Sequence, residues 1–594
     1  MPAATETNGV FTPGLNRGKV VLSLQNYASD CALQIADLTL HGYVSTHGVA
    51  NFLNIPYAQI PARFKTARLL SPCSTKGHLD ATQYGPRCPQ PFDPIHDLMK
   101  HMFEQLSMSQ YSSEFECLHL NIYAPPEALQ NQHARKFPVF AYIHGGAFNC
   151  GDDTTEFDGN HLVKRSMELG QPAIVVVLNY RLNILGFLSS RELVAEAEEA
   201  GEMPVINQGL NDQKIALQWI RQNIGYFGGD ASRVTLSGES AGAASVLYQL
   251  KGKQPLFSQA IICSSPRPSF RPFSQAQALF DRLVEAAGVN EKAPYQVKLQ
   301  ALRSYSAQDL IGLIPDMPLS TAIEDANWFV DWDPHRVRSL EYWADMPTWC
   351  SRIIVGHTKD EASLFLTPNY GTDLSETDVR RHLQSIDPDP KFASAILSSE
   401  PMKSASSPLR GLVALATQAV FVAPILEFAS AASCAARSPG KIYCYSIDVT
   451  DPFPGEALDG HSPGPLSGYA WHSFGNAILF YQPACQTHAE LAITADKMSE
   501  AYIKFMAGGE MGAWESFGLG GRKMSWNGSH TGLVDVGLDW RDAVAETLAR
   551  EGGPAWVEAY RANGLRSIHP LPELCARSHG EVNGNGNGNG SVEQ

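Results

Sequence analysis

Apolar and β-branched residues gather in this chain into short runs that end on glycine or small polar residues. Val139-Phe140-Ala141-Tyr142-Ile143, Val234-Thr235-Leu236, Ile353-Ile354-Val355 and Lys441-Ile442-Tyr443-Cys444-Tyr445-Ser446 are such runs, and they predict strands. The second leads through Gly238-Glu239-Ser240-Ala241-Gly242 into the small-residue stretch Ala243-Ala244-Ser245-Val246-Leu247, which predicts a helix. Strand, tight elbow and helix put Ser240 at the tip of the turn. Such an elbow strains the serine backbone, and glycines two residues to either side let the flanking chains pass closely enough to expose the hydroxyl. Ser240 is the candidate nucleophile.

The pentapeptide alone is weak evidence. With 49 glycines in 594 residues, Gly-x-Ser-x-Gly arises by chance roughly 0.3 times in a chain of this make-up. A second copy exists, Gly460-His461-Ser462-Pro463-Gly464. There the residue after the serine is proline, which has no N–H to offer an oxyanion, so Ser462 reads as a loop residue. The run Val139–Ile143 enters His144-Gly145-Gly146-Ala147-Phe148, a glycine-rich turn of the kind that aims successive N–H groups at one point. Gly146, Ala147 and Ala241 are the expected oxyanion donors, each worth about 2.7–4 kcal/mol of barrier where the charge develops.

Further motifs appear along the chain in a fixed order. They are Ile55-Pro56-Tyr57-Ala58 with Arg63-Phe64, Cys88-Pro89-Gln90, Cys117-Leu118-His119-Leu120-Asn121 and the His144 turn. Asn179-Tyr180-Arg181-Leu182, Gly186-Phe187-Leu188 and the block from Gly209-Leu210-Asn211-Asp212-Gln213 to Phe227-Gly228-Gly229-Asp230 follow. From about His41 to the 480s the chain resembles the type-B carboxylesterases, the cholinesterase-like branch of the α/β-hydrolases. The resemblance implies an α/β-hydrolase fold: a large, mostly parallel central sheet with helices on both faces and long insertions. It also implies a buried Arg181–Asp212 ion pair.

A serine hydroxyl needs a base, and the base needs an acid to fix its tautomer and stabilise its positive charge. Gly356-His357-Thr358-Lys359-Asp360-Glu361-Ala362 resembles the family segment that carries the triad acid, and Glu361 is the matching position. Asp360 is its local rival. Gly468-Tyr469-Ala470-Trp471-His472 through Phe480 resembles the family's histidine loop. His472 is the expected base, and His461, 11 residues earlier, is the runner-up. Ser473 stands where many relatives carry Gly, and Gly475 where cholinesterases carry an acid. The implied chemistry is attack of Ser240 on an ester carbonyl, an acyl-enzyme, and hydrolysis by water, with no cofactor and no metal.

The resemblance also pairs Cys88 with Cys117, a disulfide at the mouth of the site if oxidised. A bridge enclosing 28 residues would contribute about 3–4 kcal/mol. Phe115-Glu116 stands where relatives have Glu-Asp, so the ion pair made by Arg63 must shift to Glu114 or Glu116, or be lost. Between the two cysteines lie Phe92, Phe103 and Tyr111 but no tryptophan. The aromatic face that holds a quaternary ammonium is missing there, which argues against acetylcholine as substrate. Ser265 replaces the glycine usual at the approach to the acyl pocket. Trp328, Phe329 and Trp332 are core or gorge lining, with core expected for at least two.

Hydrophobic residues make up 44% and charged residues 18%, a globular composition. One catalytic domain is expected over residues 30–570, between a polar N-terminal segment (1–29) and an Asn/Gly-rich tail (571–594) expected to be flexible. The net charge of −16 argues against nucleic acid as a partner. The five-residue run Val20–Leu24 is too short for a signal peptide's apolar core, no stretch is expected to reach membrane-spanning length, and the 11 cysteines are odd in number; a cytoplasmic protein without a membrane anchor is expected. Three function classes follow. They are a hydrolase of small to medium apolar esters, an intracellular biosynthetic tailoring enzyme using the same triad for deacylation, lactone opening or acyl transfer, and a non-catalytic binding protein. The retained serine disfavours the last.

Overall fold

The computed structural model describes residues 27–72, 75–91, 98–103, 111–130, 136–314, 320–370, 374–435, 441–454, 464–518, 521–536, 543–553, 555 and 557. Ser462, His461, Phe92, Val20–Leu24 and the Asn/Gly-rich tail lie outside the described residues.

The strands are β1 (Tyr27–Ile35), β2 (Leu38–Ser45), β3 (Ala50–Pro56), β4 (Ala58–Gln59), β5 (Arg68–Leu69), β6 (Gly77–Asp80), β7 (His119–Ala124) and β8 (Phe137–Ile143). There follow β9 (Ile174–Leu178), β10 (Gly229–Glu239), β11 (Gln259–Cys263), β12 (Arg352–Thr358), β13 (Lys441–Ile447), β14 (Arg522–Trp526) and β15 (Gly532–Asp535). Thirteen of them form one sheet in the order β1-β2-β3-β7-β9-β8-β10-β11-β12-β13-β14-β15, with β6 paired to β2. From β9 to β14 every neighbouring pair is parallel, whereas the β1-β2-β3-β7-β9 end and the β14–β15 edge are antiparallel.

All seven residues of β8 and all five of β9 and β11 are buried, as expected where helices cover both faces of a parallel sheet. Alternation then sorts the side chains. Val139, Ala141, Ile143, Leu236 and Ile262 join one core with the helices Gln208–Asn223 and Ala241–Leu250. Phe140, Tyr142, Ile261 and Tyr445 join the other with the helices Asn160–Glu168 and Ala489–Met506. Crossovers over both faces leave the carboxyl ends of the parallel strands as the open edge where sites form.

One expectation fails. The helical segment Pro408–Cys434, with mean hydropathy 1.9 over its most apolar window, is long and apolar enough to cross a membrane, and 67% of that window is buried. Arg410, Glu427 and the helix-breaking Pro424 mask it in the sequence. Its side chains pack into both cores, the behaviour of an interior helix. A π-helical turn interrupts it at Gln418–Val422.

Arg181 pairs with Asp212 through two contacts of 2.7 Å, both side chains buried. Arg63 takes Glu114, not the exposed Glu116: its Nε lies 2.9 Å from each carboxylate oxygen and its Nη2 2.7 Å from Oε2. Trp328 and Phe329 are core residues, and Trp332 packs partly buried against them.

Candidate functional site

Four consecutive places in the sheet contribute to one site: the ends of β8, β10, β11 and β12, joined by the loop that follows β13. The glycines flanking Ser240 are sterically required. A Cβ on Gly242 would lie 2.0 Å from the carbonyl oxygen of Ile143, and one on Gly238 would lie 2.4 Å from the backbone of Gly242. The crossing squeezes Ser240 to φ 56° and ψ −120°, outside the regions open to ordinary L-residues. Its N–H donates to Cys263 O at 3.0 Å, pinning the elbow to β11.

The turn after β8 is strained as well. Gly146, Ala147 and Phe148 have φ of 98°, 53° and 59°. At Gly146 a Cβ would sit 2.1 Å from Cys150 O, so only glycine fits. Asn149 N and Cys150 N close the turn on Gly146 O, while the N–H groups of Gly146 and Ala147 make no hydrogen bond among the described residues. Ala241 N–H begins its helix and has no acceptor within it. Gly145 presses against the elbow, its missing Cβ 3.1 Å from Ser240 Cβ. His144 stacks on Tyr180 with ring centroids 4.6 Å apart, and burial lowers its pKa.

The two acids after β12 divide the work of holding the histidine loop. Glu361, fully buried, takes His472 Nδ1 at 2.6 Å on Oε2 and Thr358 N–H at 2.7 Å on Oε1. Asp360 grips the loop's backbone, accepting Ala470 N–H at 3.0 Å and donating its own N–H to Ala470 O at 2.9 Å. Burial raises the Glu361 pKa, but the charge and hydrogen bond of His472 outweigh it, with the Ser264 hydroxyl and Thr358 N–H adding to the lowering. Phe421, on the π turn, and Phe365 flank the His472 ring at 4.8 and 5.2 Å.

Two residues of the site escape sequence reasoning. Ser264, at φ 53°, is held by its N–H to Gly356 O at 2.7 Å and reaches Glu361. Glu239, buried beside the serine, puts Oε1 2.9 Å from His472 Nε2. The two atoms are close but misaligned for a hydrogen bond, so the contact is one of charge. The only hint of Glu239 in the sequence is an acid ending an apolar strand.

Burial disfavours the imidazolium of His472, but the carboxylates of Glu239 and Glu361 on its two sides override this and raise its pKa to about 10. The two acids on either side of the ring thus favour its protonated form. No hydrogen bond joins it to the Ser240 hydroxyl. At Ser473, φ is +70°, a conformation glycine adopts more readily. A Cβ at Gly475 would meet Ile447 Cδ1 at 2.9 Å, so a side chain there displaces the end of that isoleucine. Cys88 and Cys117 are both buried free thiols, and the Cys88 hydrogen bond, followed by burial, raises the Cys117 pKa. Among the described residues no cluster of three or more His, Cys, Asp or Glu could hold a metal.

Residues 39–512 match the model of the carboxylesterase family. A para-nitrobenzyl esterase of Bacillus subtilis is 32% identical over 342 residues, 56% of this chain and 63% of the relative. Lipase 1 of Geotrichum candidum is 33% identical over 293 residues, 46% of this chain and 49% of the relative. An acylcarnitine hydrolase of Mus musculus is 30% identical over 337 residues, 55% of this chain and 54% of the relative. The chain thus spans from 49% to 63% of these relatives' lengths. A solved thermophilic PNB esterase superposes with a TM-score of 0.66 at 24% identity, covering 86% of this chain and 99% of its own, so the two share a fold. The match over residues 39–512, on a sheet whose strand ends carry the elbow, the glycine turn and the histidine loop, makes this chain a member of the carboxylesterase family.

Proposed function

We propose that the chain is a serine carboxylic-ester hydrolase in which Ser240 is the nucleophile, His472 the general base and acid, and Glu361 the triad acid. The observation that carries the reading is the strained Ser240 elbow beside a 2.6 Å His472–Glu361 contact. Strain at a solvent-accessible serine is not sustained by packing alone and marks sites where geometry serves chemistry.

In the proposed reaction His472 gives up to solvent the proton that Glu239 and Glu361 favour, freeing Nε2 to take the proton of Ser240. Oγ adds to the ester carbonyl, and the oxyanion is held by the N–H groups of Gly146, Ala147 and Ala241. His472 then protonates the leaving alcohol. Water, deprotonated by the same imidazole, releases the acid from Ser240. The proposed substrates are apolar esters of small to medium size, in keeping with the Phe365 and Phe421 rings that flank His472.

The test is reaction of the full chain with a fluorophosphonate, followed by mass-spectrometric mapping, together with turnover of p-nitrophenyl esters. Label on Ser240, and loss of turnover in Ser240→Ala but not Ser462→Ala, is the expected result. Turnover that survives Ser240→Ala overturns the reading.

A further inference from the structure

His472 hangs from a loop held at two points. One is Asp360, described above. The other is Asp451, whose side chain is buried and fully engaged. Its Oδ2 accepts Trp471 Nε1–H at 2.8 Å and faces His101 Nε2 at 2.8 Å, and its Oδ1 accepts Phe453 N–H at 2.9 Å. The Asp451 backbone adds two bonds of 2.9 Å, its N–H to Tyr469 O and its carbonyl from Gly468 N–H. Asp451 therefore touches each of Gly468, Tyr469 and Trp471, in the stretch immediately before His472.

His101 comes from elsewhere. It sits in the short turn Lys100–Met102, between Cys88 and Cys117 in sequence, and its Nδ1 lies 3.1 Å from Leu98 O. Both ring nitrogens face oxygen atoms, Leu98 O and Asp451 Oδ2. The ring also lies against Phe453 and Trp471, at 6.0 and 6.4 Å between centroids. Leu98, Met99, Met102 and Phe103 pack into the same core as Trp471 and Phe474.

We propose that His101 and Asp451 are positioning residues for the hydrolytic reaction, fixing the Trp471 indole and through it the placement of His472. The physical chain is short. Trp471 is fully buried, and its indole N–H has one acceptor, Asp451. A buried indole without that acceptor must move to find another. Any movement passes directly to the neighbouring residue, whose ring has to present Nε2 to Ser240 within a few tenths of an ångström for proton transfer to be efficient. His101 supplies the second donor that keeps the Asp451 carboxylate turned toward Trp471. The inference rests on the hydrolase reading above.

The experiment is steady-state hydrolysis of p-nitrophenyl butyrate, with thermal midpoints, by the wild-type chain, His101→Ala, His101→Gln, Trp471→Phe and Ser240→Ala. His101→Ala and Trp471→Phe are expected to lower kcat by about ten- to a hundredfold, the cost of an ångström-scale misplacement, with little change in KM. His101→Gln, which restores an N–H near the Nε2 position, is expected to recover most of the loss. A merely structural pair would lower the thermal midpoint and leave kcat intact well below it. Unchanged kcat in folded His101→Ala overturns the proposal, as does a rise in KM alone. Trp471→Phe, which keeps an aromatic ring but loses the indole N–H and part of the buried ring volume, is read beside its thermal midpoint and decides the matter if His101→Ala does not fold. Loss of turnover in Ser240→Ala beside an unaffected His101→Ala defeats this proposal alone, whereas turnover in Ser240→Ala defeats the reading beneath it.

Discussion

Replacing Glu239 with glutamine removes one of the two charges beside the His472 imidazole, the proposed base, while keeping the side chain's size. In the wild-type chain the His472 pKa is raised from 6.5 to about 10, because the two carboxylates outweigh burial. The base is the neutral ring, so activity should climb with pH as the imidazolium is lost, along an acid limb that runs well above neutrality. An opposite charge at this range shifts a pKa by about 1–3 units. Without the Glu239 charge, 2.9 Å from Nε2, the cation is less stable and the limb should move to lower pH by that amount. Below the limb the rate falls tenfold per unit, so at pH 7 Glu239→Gln should gain about ten- to several-hundredfold in kcat/KM, measured as a fraction of its own alkaline plateau. The assay is the pH-stat profile of kcat/KM for a simple alkyl ester, whose product acid is fully ionised across the range. A limb that stays in place, or moves to higher pH, would refute the argument that Glu239 holds the proton on His472.

The packing sets the stability expected of further variants. Glu114→Ala leaves the buried Arg63 guanidinium without its carboxylate and should cost about 3–5 kcal/mol in urea unfolding, while the exposed Glu116→Ala should stay within about 0.5 kcal/mol; equal losses would mean that Arg63 is shared between them. Gly242→Ala drives a Cβ into Ile143 O and should prevent accumulation of folded protein. Gly312→Ala, where a Cβ meets nothing within 4 Å, should be neutral or stabilise by up to about 1 kcal/mol, as circular dichroism melts would show.

Much of the site was legible in the sequence because its parts are local. A glycine two residues to either side of Ser240 follows from the crossing of three backbone segments at one point, and the His144 turn follows from φ values that side chains resist. Those requirements act within a few residues, so they leave a readable pattern. The proline after Ser462 was equally local. Glu361 and His472 depended instead on resemblance, because nothing in the composition of two remote loops says that they meet. Only the resemblance told Glu361 from Asp360, since adjacent acids at a strand end differ only in where their side chains point. The structure divides them between a backbone amide and an imidazole.

The sequence by itself determined the strand runs, the elbow, the turn that offers N–H groups, and the family order of motifs, all features governed by short-range sterics and hydrophobic period. Tertiary structure alone decided which acid Arg63 takes, which face of the sheet each strand residue joins, that the apolar segment 408–434 is an interior helix, and that Glu239, Ser264 and Asp451 surround the histidine loop. These are contacts between residues far apart in the chain. Their partners are chosen by packing and by the need of buried charges and N–H groups for one another, and neither leaves a mark in local sequence.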